Sequence, residues 1–472
     1  MSLRTRALIA VGLTVGFYAL AIGLVALLVR IVFLPDMPGR LIVFCLFGAI
    51  AILISIVPRP SRFIPPGPRL NPAGQTRLFA ELESVAKAVG EPMPSEVYIT
   101  PEMNAGVLRR GRRRVMVLGL PLMQVMSVSQ MRAVLAHEFG HYHGGDTALG
   151  PWVYRTRETI ERTLRGVSRA SELLQLPFLW YGRMFMRVTQ SVSRRQEFAA
   201  DELAARTIGS RPMIDGLRAL ARGAIAFNAY WRYEFVPMIE AGVQPPLAEG
   251  FEAFMAEPDM LKRANEAAEE QLASARTDPY DSHPPDSERI AALAALPPGP
   301  EPDQPQPAVT LLDGVAAIDP VILSGILKPG LRLRQVSWAE TGTLALLPGW
   351  RERVLRQAAM LKGYTAGWLP DLLKYVDRLG QSEANAASRT VTPTEASTLG
   401  IGLAGAALAA ALADHGWAIE SLPGRPVVLR RDEATLEPWL EIDRLTSGAT
   451  DAETWRRRCD ELGIRDLSLS PP

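Results

Sequence analysis

The chain has 472 residues, too many for one ordinary domain, so two or three structural units are expected. Its 51 basic and 50 acidic residues give a formal net charge of +1, which excludes the overall charge excess typical of nucleic-acid-binding proteins. The two cysteines, Cys45 and Cys459, lie far apart, so no disulfide framework is expected.

Two apolar runs begin the chain. Residues 7–29 contain no charged side chain and would form a helix about 34 Å long, enough to cross roughly 30 Å of hydrocarbon. Residues 41–57 form a second uncharged run, about 25 Å long as a helix. A cleaved signal peptide is the alternative for the first run, with "ALA" at residues 19–21 as its candidate cleavage site. Against this alternative, the apolar run continues well past these residues, and the second run follows at once. We therefore predict a transmembrane helical hairpin.

The arginines near these runs predict the orientation of the hairpin. Five arginines lie beyond its two ends, and two lie in its connecting loop. The five are Arg4, Arg6, Arg59, Arg62 and Arg69, and the two are Arg30 and Arg40. Because the side with more positive charge remains cytoplasmic, we expect a multi-pass protein of the cell's inner (plasma) membrane whose following domains lie in the cytoplasm.

Two proline-rich segments divide the rest of the chain. Residues 58–72 and residues 296–307 are predicted to be linkers, because proline stiffens the backbone and interrupts regular structure. They bound a central domain at residues 73–295 and a C-terminal domain at residues 308–472, for which the mixed helix and strand signals predict an α+β fold of unknown role. Within it, residues 398–413 are rich in Ala and Gly and predict a packed helix rather than a third span.

The central domain begins with one helix and several strands. The apolar spacing predicts a helix over residues 75–89 that ends at Gly90. Strands are predicted from Glu96 ("EVYIT") and from Arg113 ("RRVMVLGL"), and the segment between them, "NAGVLRRGRRR", predicts an edge strand and a turn. The whole chain is therefore predicted to be mainly α (α+β), with a small β-sheet in this domain.

The stretch "LAHEFGHYHGGD", residues 135–146, holds three of the five histidines of the chain. A capping box at residues 127–130 predicts that a helix starts just before it. On that helix His137 and His141 are four residues apart and project from the same face, which lets both imidazoles bind one zinc ion. Glu138 lies beside the position of a metal-bound water and is the candidate general base of this HExxH pattern.

HExxH alone occurs by chance, so the site needs a third ligand. His143 is two residues past His141, on nearly the opposite helical face, which excludes it while the helix continues. The metzincin pattern requires its ligand at the position of Thr147 and therefore fails. In "RRQEFAADELAA", Glu197 and Asp201 share one helical face, so we predict that Glu197 completes the site and Asp201 accepts the N–H of a liganding imidazole. Two histidines and one glutamate leave the fourth zinc position open for water.

The chain resembles the HtpX-type membrane zinc peptidases, gluzincins related to the CAAX prenyl endopeptidases, in "NAGV", "VMVLGLPLM", "MRAVLAHEFGHYHGGDT", "RRQEFAAD" and "SHPPDSERI". The resemblance covers the two apolar runs and the chain to about residue 295, and it leaves the C-terminal domain outside. It implies a mostly helical peptidase domain with a small sheet and one zinc ion per chain. It also implies that His137, His141 and Glu197 hold this zinc and that Glu138 is the catalytic acid and base.

The chain departs from this family between the two predicted metal-binding helices. The resemblance to HtpX implies four membrane spans. In this chain, however, residues 173–188, between the ligands, contain Arg183 and Arg187. An arginine at the bilayer centre costs about 2.5–3.5 kcal/mol on insertion scales. An interfacial or buried amphipathic helix is therefore expected for this segment.

These features predict a membrane-anchored zinc metalloendopeptidase in membrane-protein quality control or processing. Its expected partners are protein or peptide substrates and the lipid bilayer, with no nucleic acid. The edge strand at Asn104, Ala105 and Gly106 is the candidate surface for an extended substrate. His283, in "SHPPDSERI", either holds a turn or lies near the zinc, where it would donate to the oxyanion or occupy the open coordination site. The alternative function is a membrane-tethered scaffold that retains the zinc fold without cleaving.

Overall fold

The computed structural model describes residues 3–57, 63–110, 113–143, 156, 159–167, 172–275, 284–299, 303–327 and 330–471. The chain divides into two compact units. Unit 1 comprises Met1–Arg222 and Ala267–Asp313, and unit 2 comprises Gly223–Glu266 and Gly314–Pro472. Helices predominate in the described residues, and the strands form small sheets of two or three strands, so the predicted mainly α (α+β) class is confirmed.

Unit 1 begins with a helical hairpin of α1 (Leu3–Val32) and α2 (Gly39–Ile56). The apolar segments Val11–Val32 and Gly39–Ile56 are long enough to cross a membrane. Two further helices, α6 (residues 159–167) and the long α7 (Glu172–Thr207), share one hydrophobic core with this hairpin. The core is formed by Phe17, Ala21, Leu28, Cys45, Ala49, Ile52, Ile56, Ile160, Val167, Leu174, Phe178, Tyr181 and Phe185.

The first half of α7 is amphipathic. Leu174, Phe178 and Tyr181 are buried in the core shared with the hairpin, and the hydroxyl of Tyr181 donates a hydrogen bond to the backbone carbonyl of Leu13. Trp180 and Arg183 are exposed on the other face. This one-sided packing agrees with the amphipathic helix expected for residues 173–188.

A helix and a three-stranded sheet follow the hairpin in unit 1. The apolar stripe of α3 (Thr76–Val89) is buried, and the helix ends at Gly90, whose φ of 79° favours glycine. The strands β1 (Glu96–Thr100), β2 (Ala105–Arg110) and β3 (Arg113–Gly119) lie in the order β1-β3-β2, with β2 antiparallel and β1 parallel to β3. The predicted helix, both predicted strands and the edge position of β2 are confirmed. The parallel pairing of β1 with β3 does not follow from the strand signals of the sequence.

The other α-helices and strands of the described residues are as follows. Those that lie wholly or partly in unit 1 are α4 (Leu120–Val125), α5 (Val128–His143), α8 (Ser210–Tyr230), α11 (Pro258–Ser274) and α12 (Asp286–Ala294). In unit 2 they are α9 (Val236–Glu240), β4 (Val243–Gln244), α10 (Leu247–Ala256), α13 (Val315–Ile322), β5 (Arg334–Gln335), α14 (Trp338–Thr341), α15 (Leu347–Arg356), α16 (Ala358–Leu361), α17 (Leu369–Leu373), α18 (Val376–Ala386), α19 (Pro393–Asp414), β6 (Ala418–Glu420), β7 (Val428–Arg431), β8 (Ala434–Leu436), α20 (Pro438–Thr446) and α21 (Ala452–Leu462).

Unit 2 contains residues 223–266 in addition to residues predicted for the C-terminal domain. The indole N–H of Trp338 donates to the carbonyl of Pro246 at 2.8 Å. The carboxylate of Asp319 accepts the backbone N–H groups of Leu247 and Ala248 at 2.9 and 3.0 Å, which satisfies the first turn of α10. These bonds hold α10 to the C-terminal part of the chain within one unit.

The helix α19 is the centre of unit 2. It is apolar and long enough to cross a membrane, but two thirds of its apolar window is already buried, against 17% for α1. Helices α15, α18 and α20 pack around it. The described structure therefore supports the predicted packed helix, and Gly416, with a φ of 84°, follows its end.

Gly400→Ala is expected to lower the free energy of unfolding by about 1–3 kcal/mol, because the new Cβ would collide with the backbone carbonyl of Val376 in α18. Gly402→Ala is the matched control on the same helix. Its Cβ would approach only the flexible end of Arg353, at 3.3 Å, so stability should stay unchanged or rise by up to ~1 kcal/mol. Thermal unfolding of the full chain measures both, and an unchanged midpoint for Gly400→Ala would contradict the close packing of α18 on α19.

Candidate metal centre

The capping box predicted before the histidines starts helix α5. The backbone N–H of Gln130 donates to the hydroxyl of Ser127 at 3.2 Å, and the side-chain oxygen of Gln130 accepts the N–H of Ser127 at 3.0 Å. Farther along α5, the buried Arg132 forms an ion pair with Glu81 of α3. The helix is thus fixed at its start and on one flank before it reaches the histidines.

The helices α5 and α7 approach closely beside the predicted ligands. A Cβ at Gly140 would lie only 3.1 Å from the Cα of Ala200, which is tighter than ordinary van der Waals contact. Glycine and alanine at this contact bring the backbones together. The face of α5 that carries His137 and His141 therefore meets the face of α7 that carries Glu197.

Three side chains offer donor atoms to one point between these helices. The Nε2 atoms of His137 and His141 are 3.2 Å apart. The Glu197 carboxylate oxygens lie 3.5 Å from Nε2 of His137 and 3.7 Å from Nε2 of His141. A tetrahedral zinc ion with bonds of about 2.0–2.1 Å keeps its ligand atoms about 3.3–3.4 Å apart. The spacing and the chemistry of the three donors therefore fit one zinc ion.

The centre is buried on one side and more open on the other. The side chains of His137 and Glu197 are each 7% exposed, whereas His141 is 28% exposed and Glu138 is partly buried. Burial lowers the pKa of His137, but hydrogen bonds to Asp201 and Glu197 and the charge of Glu138 outweigh it and raise that pKa to about 9. The negative charge around His137 therefore favours a cation.

Asp201 lies behind His137. Its Oδ1 atom is 2.9 Å from Nδ1 of His137, the nitrogen that faces away from the donor cluster. Asp201 also contacts Arg289 of α12, a residue that the sequence prediction did not include. Burial raises the pKa of Asp201, but hydrogen bonds with Arg289 and His137 outweigh it, so the pKa lies below its ordinary value. The sequence signal that could have indicated Arg289 is its place in "SHPPDSERI".

The predicted substrate strand lies outside the donor cluster. Ala105 and Gly106 pair with β3, and the carbonyl of Asn104 accepts the N–H of Gly119 at 2.8 Å. Strand β2 is at the edge of its described sheet, and helix α5 packs against it. A peptide that added to β2 would therefore lie beside the helix that carries the two histidines.

Two residues discussed for the site lie outside the described part of the chain. These are His283 and Thr147, so the position of His283 stays a prediction. His143 is the last described residue of α5, so the helix continues past His141, as the exclusion of His143 required.

Residues 72–296 match the family model of peptidase family M48. This part of the chain is therefore similar to peptidase family M48. The matched residues contain the whole donor cluster together with Asp201 and Arg289. M48 members are metallopeptidases, so the cluster lies where a metal ion is expected.

Three curated proteins to which the chain is similar are each named Protease HtpX. The relative from Idiomarina loihiensis is 29% identical over 207 residues, which are 39% of this chain and 72% of that protein. The one from Pseudomonas entomophila is 26% identical over 208 residues, 39% of this chain and 70% of that protein. The one from Tolumonas auensis is 29% identical over 169 residues, 31% of this chain and 58% of that protein. No solved structure matches the chain.

Proposed function

We propose that this protein is a membrane-anchored endopeptidase that hydrolyses peptide bonds with one zinc ion per chain. The observation that carries the proposal is the spacing of the donor atoms of His137, His141 and Glu197, between 3.2 and 3.7 Å. When bound there, zinc would lower the pKa of a water molecule and polarise the scissile carbonyl. Three protein ligands leave one position for that water.

Glu138 is the proposed acid and base. It follows His137 on α5, and its negative charge contributes to the raised pKa of that histidine, so the carboxylate lies close to the metal centre. It would accept the proton of the attacking water and then deliver that proton to the leaving amine. Glu138 is only partly buried, which supports this role.

The edge of β2 is the proposed binding surface for the substrate. An extended peptide that pairs with Ala105 and Gly106 would be held by backbone hydrogen bonds, which tolerate many side chains. This binding mode suits unfolded segments of varied sequence. It supports a role in the quality control or processing of membrane proteins.

The membrane location rests on α1 and α2. Both have an apolar window of sufficient length, and most of each window is not buried inside unit 1: only 17% of the first and 33% of the second is buried. An exposed apolar surface of this size needs a bilayer or a partner to cover it. We propose that these two helices span the membrane and that the arginines at their ends keep the M48-like domain in the cytoplasm.

Peptidase activity and metal dependence are tested together on the full chain in nanodiscs, with casein as an unfolded substrate. Treatment with 1,10-phenanthroline should abolish cleavage, and added Zn²⁺ should restore it, because the ligands hold the metal reversibly. The 1,7-isomer of phenanthroline, which does not chelate, should leave cleavage unchanged. A zinc-loaded chain that cleaves neither casein nor its own chain would favour the scaffold alternative instead.

A further inference from the structure

Arg289 is buried next to the metal centre. It lies on α12 and is 7% exposed. Its Nε and Nη2 groups donate to the two carboxylate oxygens of Asp201 at 2.8 and 2.7 Å. Two parallel bonds of this kind constrain both the distance and the plane of the carboxylate. A lysine in the same place would supply one point charge without that constraint.

The guanidinium group also compensates the negative charge around it. Its Nη1 atom lies 3.8 Å from Glu197 and 3.6 Å from Asp286, in addition to the two bonds to Asp201. Asp201 is 2% exposed, and a buried carboxylate is costly unless it is paired and hydrogen-bonded. Arginine remains protonated at any pH at which proteins fold, so this compensation is permanent.

Asp201 links Arg289 to the metal-facing imidazole. The Oδ1 atom that accepts from Arg289 also lies 2.9 Å from Nδ1 of His137. With the carboxylate plane held by Arg289, Nδ1 of His137 would keep its proton when a metal binds, and Nε2 would present its lone pair to that metal. Without Arg289 the carboxylate would be free to turn away from Nδ1.

We propose that Arg289 is a positioning residue of the metal centre, which acts through Asp201 to hold His137 in the tautomer and orientation that bind zinc. This inference rests on the proposed function only in taking zinc as the bound metal. Arg289 makes no contact with the reacting atoms in this scheme. Its role is to preorganise one ligand.

Zinc affinity of the metal-free full chain, measured by competition with a chromophoric chelator, tests the effect without requiring cleavage. Arg289→Met should weaken zinc binding by about 10–100-fold, the usual effect of losing a group that orients a ligand. Arg289→Lys should weaken zinc binding almost as much as Arg289→Met. Arg206→Met is the matched control, because Arg206 lies on α7 in an exposed ion pair with Glu202 and should leave zinc affinity unchanged.

A double-mutant cycle separates positioning from a general structural effect. In an Asp201→Asn background, Arg289→Met should change zinc affinity by less than about threefold, because the residue through which it acts is already altered. The double variant lacks both buried charges and should fold even where Arg289→Met alone does not. Should that single variant fail to fold, Arg289→Lys replaces it in the cycle with the same expectation.

Two results would overturn the proposal. One is an unchanged zinc affinity in both single Arg289 variants. The other is a loss of zinc affinity on Arg289→Met that is equally large in the wild-type and Asp201→Asn backgrounds. A wild-type chain that binds no zinc would instead overturn the proposed function. Tight zinc binding together with an inert Arg289 would overturn only the positioning role.

Discussion

Glu138→Gln should reduce peptidase turnover by about 10²–10⁴-fold while the chain keeps one zinc ion. Glutamine has nearly the shape of glutamate but accepts no proton at neutral pH, so the attacking water loses its base. The metal ligands are untouched, because the donor cluster consists of His137, His141 and Glu197. Initial rates on casein and metal analysis of the same preparation measure the two quantities.

The control for this variant is Glu202→Gln, which removes a carboxylate from an exposed ion pair on α7. It should cleave at the wild-type rate. Turnover by Glu138→Gln within tenfold of wild type would exclude Glu138 as the base. Loss of zinc from Glu138→Gln would also contradict the role of Glu138 as the base, because it would show that this residue is a metal ligand. Because the Glu138→Gln chain should bind substrates without cleaving them, proteins that purify with it from membranes would identify its natural substrates.

Glu197→Gln should remove zinc from the chain and abolish cleavage. An amide oxygen carries no negative charge and binds zinc weakly, so two imidazoles would have to hold the ion alone. The loss of affinity should exceed the 10–100-fold typical for a residue that only orients a ligand. Zinc per chain after dialysis against a weak chelator measures the loss.

Glu202→Gln again provides the comparison, five residues along the same helix and outside the donor cluster. It should retain one zinc ion and full activity. If Glu197→Gln retains zinc as tightly as Glu202→Gln, the third ligand lies elsewhere. His283 would then be the first alternative to test by substitution.

The helical spacing of the sequence predicts the core of the metal centre, because a period of 3.6 residues relates positions four apart to one helical face. That rule alone pairs His137 with His141 on one helix and Glu197 with Asp201 on another. The capping box at Ser127 and the end of α3 at Gly90 are predictable for a similar reason, since both depend on local backbone chemistry.

Arg289 could not be placed by such local rules. It lies 88 residues after Asp201, and only the tertiary packing of α12 against α7 brings the two side chains together. Likewise, nothing in the pattern of residues 223–266 indicates that they pack with Trp338 and Asp319 in unit 2. Contacts of this kind follow from the folded arrangement and not from periodicity.

The zinc environment of the loaded full chain is the most direct test of the metal centre. X-ray absorption at the zinc edge of a chain loaded with one zinc ion should show four nitrogen or oxygen ligands at about 2.0–2.1 Å, two of them imidazole. A sulfur ligand at about 2.3 Å would instead place the metal at a cysteine. That result, or a shell without imidazole, would contradict a zinc site built from His137, His141 and Glu197.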